Sequence, residues 1–160
     1  MGFFHYPIAV LLILALFGCG GPVSRTIDAQ IKAESGGNGV DLRQVSGFDW
    51  DKLLVFGPYS YPTQICHEIG LSASECDNAK LKDVDEGQHL IVFLVGGRVT
   101  YHEEVSRRIV NFDEDILAKP IAKSEAMFLL ERGSGGSPYL MHPMASKRAL
   151  QLKRDEGAHL

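Results

Sequence analysis

The sequence predicts an α+β domain, a two-layer sandwich in which a short helix packs on an antiparallel meander sheet. Three observations carry this. His89 to Val95 is an apolar run of strand length; Gly96-Gly97 and an alternating run from Arg98 to Val105 follow it, so the pair reads as a tight hairpin. Tyr61 to Ile69 has helical periodicity and ends at Gly70. The apolar stretches beyond the hairpin are short and separated by turn residues, and the chain offers too few crossover helices for a doubly wound parallel sheet.

Taken in order, residues 1–18 read as an export signal and 19–46 as a flexible tether. Gly20-Gly21-Pro22 and Gly36-Gly37-Asn38-Gly39 interrupt regular structure. Between them, Thr26 to Ala33 allows a turn or two of helix, with Ile27 and Ile31 four apart, and Val40 to Val45 is a weak strand. The globular body spans 47–146. Trp50 to Phe56 is a strand ended by Gly57-Pro58. In the helix that follows, Pro62 suits the first turn, and Pro62, Ile65, Cys66 and Ile69 share one face, which turns Cys66 inward and His67 and Glu68 outward. A two-residue Gly-Gly link sets Leu94 opposite Val99 and Val92 opposite Tyr101. Arg107 to Phe112 continues as strand, and a polar loop opens at Asp113-Glu114-Asp115. Ala126 to Glu131 and Tyr139 to His142 are a last pair of strands across a glycine-rich turn, and 147–160 is a charged tail.

Once the first 18 residues are removed, about 140 remain, enough for one domain with its own core. The formal charge is -4 and the pI about 5.8, with no block of five or six like charges, so the charge pattern suggests neither nucleic acid nor an anionic lipid surface as a partner. The apolar run Ile8 to Phe17 is about ten residues, half of what a spanning helix needs. It ends in Leu16-Phe17-Gly18-Cys19, which resembles the lipobox of bacterial lipoproteins. The resemblance implies cleavage before Cys19, a lipid on its sulfur and an acyl chain on its amine. Two or three chains on one residue anchor a domain where a single chain holds it only marginally. Gly20 follows the cysteine in place of the Asp associated with inner-membrane retention. The implied address is therefore the periplasmic face of the outer membrane in a cell with two membranes. Plain secretion and an uncleaved anchor are the alternatives.

With Cys19 assigned to the anchor, Cys66 and Cys76 remain, and an even pair in an exported domain predicts a structural disulfide. Free thiols and a functional thiol stay open as rivals. The Cys-x9-Cys spacing does not suit zinc, and there is no Cys-x-x-Cys.

The candidate site residues are few. In the hairpin register above, His89 faces Glu104 with His102 diagonally beside them, an imidazole–carboxylate set able to hold a metal ion, though Ile91, Phe93 and Val95 on the same face argue for core. Phe48-Asp49-Trp50-Asp51-Lys52 with Phe56-Gly57-Pro58-Tyr59 is similar to an FDWDK…F-x-PY stretch of small bacterial envelope proteins. That stretch has no assigned chemistry and transfers no functional residue. Trp50 and Tyr59 within it are large anchors, suited to core packing or to a binding patch. Cys66-His67 is no dyad, because adjacent helix residues diverge, and neither a phosphate loop nor a serine-hydrolase elbow is present. No catalytic constellation and no cofactor emerge. The expectation is a non-enzymatic, membrane-anchored module that supports assembly or stability of another envelope protein. A small metal-binding protein or enzyme using His89, His102 and Glu104 is one rival, and a periplasmic ligand-binding domain is the other.

Overall fold

A computed structural model describes residues 20–33, 39–132 and 139–144. The leader 1–18, the lipidation residue Cys19, the glycine-rich turn 133–138 and the tail 147–160 lie outside the described residues. Along the chain the elements are α1 (Pro22–Ala33), β1 (Gly39–Asp41), β2 (Lys52–Phe56), α2 (Pro62–Ile69), α3 (Ala73–Ala79), β3 (Gln88–Val95), β4 (Arg98–Ser106), β5 (Val110–Phe112), β6 (Ile121–Ala122), β7 (Met127–Glu131) and β8 (Tyr139–Pro143), with single 3-10 turns at 42–44, 114–116 and 123–125. The α+β class holds, and the strands divide between two sheets. The first is antiparallel with order β4-β3-β2-β6; the second has order β1-β7-β8-β5, with β5 and β8 parallel.

β2 and β3 are apolar at nearly every position because both faces of the first sheet are covered. Leu53, Val55, Ile91 and Phe93 point to the second sheet and α1, where they meet Val23, Ile27, Phe112, Phe128 and Met141. Leu54, Phe56, Leu90, Val92 and Leu94 point the other way, onto Ile65 of α2 and Val84. Pro62 opens α2 and Gly70, at φ 82°, closes it, its N–H donating to the Cys66 and His67 carbonyls. Cys66 is buried on α2 and forms a disulfide with Cys76, their Cα atoms 5.6 Å apart. Cys76 sits in a helix that a Ser72–Glu75 capping box starts.

The expected tether over 19–46 fails across its described part. Val23 and Ile27 are fully buried and Ile31 packs beside them, so α1 is a core helix, and Val40 and Leu42 continue the same core. The Gln30 side chain accepts from the Asp41 N–H at 2.7 Å and donates to its carbonyl at 3.1 Å, which ties α1 to β1. A stripe at i, i+4 and i+8 outweighs the breakers around it, and Pro22 suits the first helical turn, where its missing N–H costs nothing.

Two further expectations are corrected. Arg107 to Phe112 is not one strand: the chain turns at 107–109, Ile109 N–H donating to the Ser106 carbonyl, and β5 joins the other sheet. The hairpin keeps its Gly-Gly turn, both glycines at positive φ (56° and 84°), and Leu94 faces Val99. Thr100, however, is an extra residue that bulges out, its Oγ1 donating to the Asp49 carbonyl at 2.9 Å and the Phe93 carbonyl at 3.3 Å. Beyond the bulge every partner slips by one: Phe93 pairs with Tyr101, Val92 with His102, Leu90 with Glu104 and His89 with Val105.

Candidate functional site

The slip separates the three residues considered for metal binding. His89 lies on the inner face of the first sheet with Ile91 and Phe93, whereas His102 and Glu104 pair with Val92 and Leu90 on the outer face. His102 and Glu104 border a depression of about 320 Å³ that also carries Lys80 and Lys82, and cations there work against a metal ion. Among the described residues no group of three or more His, Cys, Asp or Glu is arranged to hold one.

His89 instead backs a polar cleft where the two sheets meet. The cleft encloses about 490 Å³ and is lined by Pro58, Arg107, Asn111, Asp113, Glu114 and Leu140, among others. Its position follows from the chain's change of sheet: β4 delivers Arg107 at its end, the turn reverses the chain, and β5 brings Asn111 back beside it. Asn111 Oδ1 accepts from Arg107 Nε at 2.8 Å and lies 3.4 Å from His89 Nε2. A second hydrogen bond, from Arg107 Nη1 to the Glu86 carbonyl at 3.0 Å, holds the guanidinium in place. His89 is 3 % exposed, and its ring stands edge-on to Phe112, centroids 5.3 Å apart. Burial pushes its pKa below the ordinary imidazole range, against the opposing pull of Asn111 and the Phe56 backbone, with Arg107 adding to the depression. His89 is therefore a neutral, polar back wall.

The acidic side of the cleft is equally organised. Asp113 accepts from the Asp115 N–H at 2.9 Å and lies 2.6 Å from His142 Nδ1 on β8. The Asp115 N–H, followed by His142, holds the Asp113 carboxyl below the usual carboxylate range despite some burial. His142 Nε2 in turn stands 3.3 Å from the Glu131 carboxylate. The cleft thus offers a fixed guanidinium on one wall and carboxylates on the other, over a neutral imidazole. It can recognise a polar chain segment through hydrogen bonds and charge, and among the described residues its lining holds no serine, cysteine or lysine.

Tyr59 stands at this end of the molecule. It is 63 % exposed and adopts φ 63°, a left-handed conformation that is unusual for an aromatic residue. The turn is held by the Tyr59 N–H donating to the Val84 carbonyl, the Val84 N–H to the Ser60 carbonyl, and Ser60 Oγ to the Gly57 carbonyl. Lost solvation and the neighbouring Glu86 push its phenol pKa up, and Arg107 opposes them. Trp50, its partner in the sequence motif, goes elsewhere. It is 4 % exposed, packs edge-on against Phe93 with centroids 5.0 Å apart, and carries Lys123 over its ring. It is core, and the expectation that it shares a binding patch with Tyr59 is withdrawn: β2 starts just after it and turns it inward.

Arg107, Asn111 and Asp113 were not legible as a site, because the sheet change that gathers them has no local signal; Asp113 appeared only as the start of a polar loop. Among the described residues no helix is long and apolar enough to cross a membrane. No family model, no curated protein and no solved structure matches this chain.

Proposed function

We propose that this chain is an exported lipoprotein, anchored through Cys19 to the periplasmic face of the outer membrane, whose body acts as a non-enzymatic binding module for another envelope protein. The observation that carries the binding reading is the cleft: a fixed Arg107, a neutral buried His89 and the Asp113–His142 pair surround about 490 Å³ of space, with exposed Tyr59 projecting nearby. Polar groups held in place at the edge of an apolar core suit recognition of a partner's chain segment, and an exposed Tyr beside an Arg is the composition of an interface anchor. The lipobox supplies the address, and the disulfide fits an oxidising compartment.

Two measurements test the proposal. Metabolic labelling with a radiolabelled fatty acid should mark the native chain and not Cys19→Ser, which should leave the membrane fraction; equal labelling and fractionation would refute the anchor. A photo-crosslinking residue at Tyr59 should capture one envelope protein in stoichiometric yield, and Arg107→Ala should lose it. Capture of nothing in repeated trials, or capture indifferent to Arg107, would refute the binding role.

A further inference from the structure

We infer that the body is held flush against the bilayer in one orientation, with the start of α1, the Tyr101–Glu103 segment of β4 and the loop around Phe48 turned to the lipid headgroups. The inference rests on the anchoring reading above and adds to it the absence of any spacer. Glu103, 9 % exposed, points from β4 into the first turn of α1. Its two oxygens accept from the backbone N–H groups of Val23 at 3.0 Å and Ser24 at 2.8 Å, and the Tyr101 hydroxyl donates to it at 3.1 Å. A carboxylate at a helix N-terminus is favoured both by the unpaired amides and by the helix dipole.

This clamp closes immediately behind the anchor. A Cβ on Gly21 would overlap the Glu103 carboxylate and lie 2.6 Å from the Tyr101 hydroxyl, so the backbone at Gly21 is already pressed against β4. Only Gly20 separates it from Cys19. Two Cα steps of about 3.8 Å reach at most about 8 Å. The polar headgroup zone on each side of a bilayer is about 5–8 Å deep. A residue acylated at position 19 therefore leaves Gly21, and the strand it touches, at headgroup level. Phe48 stacks on Tyr101, centroids 4.3 Å apart, which puts the 46–49 loop on that same side. α2 and, through the disulfide, α3 lie across the first sheet on its other face, away from α1. The occupant of this surface is lipid, because the anchor leaves no length in which a protein could be interposed.

Lipid crosslinking in intact cells tests the orientation. Benzoylphenylalanine is placed in the full chain at exposed Ser46, beside Phe48, or at exposed Asp77 on α3, and phospholipid adducts are measured by mass spectrometry after irradiation. Adducts at position 46 should exceed those at 77 several-fold. Inserting about twelve Gly/Ser residues between Gly20 and Gly21 should abolish the difference while acylation persists, since such a linker lets the body tumble. Equal yields at the two positions in acylated, uninserted protein would overturn the flush orientation and leave the anchor standing. An unacylated native chain would overturn both.

Discussion

Two buried polar side chains share the inner face of the first sheet, and they are served very differently. Glu103, opposite Ile91 on β4, receives three donors within 3.1 Å, so both of its oxygens are engaged. His89, two residues along β3 from Ile91, has a long contact to Asn111 at 3.4 Å, leaves its Nδ1 without a hydrogen-bond partner among the described residues and opens onto a cleft. A buried group whose partners are complete holds structure together; one that is underserved beside open space is available to a partner. The comparison assigns fixation to the α1 end of the molecule and recognition to the β5–β8 end.

Beyond Glu103 on the same face, opposite Tyr101, lies Phe93, fully buried among Phe48, Trp50 and Tyr101. Phe93→Ala should cost the most, about 3–5 kcal/mol by chemical denaturation. A loss under about 1 kcal/mol would show that this aromatic cluster does not hold the α1 end. Glu103→Ala should follow at about 2–3 kcal/mol, since it strands two helix amides and a phenol. Hydrogen exchange should then accelerate at Val23 and Ser24 before anywhere in β3; unchanged protection at those amides would remove Glu103 as a clamp.

The pH responses should divide in the same way. His89 is a base whose pKa is depressed on folding, so the unfolded chain takes the proton first. Its contribution is present above about pH 6.5 and is lost as pH falls below it. His89→Leu should flatten that part of the stability curve, and an unaltered acid limb would move the cause elsewhere. Tyr101 behaves oppositely. Burial, then the Glu103 charge and hydrogen bond, push its phenol up to about 12. Its contribution is complete below about pH 10 and fades as pH rises through 12. Absorbance titration should show a late tyrosine that Tyr101→Phe removes, and Glu103→Gln should bring it down; a titration unchanged by Tyr101→Phe above about pH 11 would show that the clamp is open in solution.

The sequence made some of this legible and hid the rest for identifiable reasons. The α2 helix, the Gly-Gly turn and the cysteine pairing are set by local rules and appear where those rules put them. Failure came where one residue has consequences at a distance. Thr100 bulges because its hydroxyl finds two carbonyls, and that single insertion turns His102 and Glu104 away from His89. α1 is flanked by glycines that suggest a linker, and only the distant Glu103 and the core it enters explain why it is fixed. The cleft depends on the chain leaving one sheet for another at 107–109, a tertiary event without a sequence mark.

The most direct test of the division between fixing and recognising is to measure unfolding free energy and envelope-partner capture side by side for Glu103→Ala and Arg107→Ala. The account predicts that Glu103→Ala loses about 2–3 kcal/mol. Arg107→Ala, with its two hydrogen bonds at the cleft margin, should lose about 1 kcal/mol or less while partner capture collapses. A stable Glu103→Ala, or an Arg107→Ala that still captures its partner in full, would contradict it.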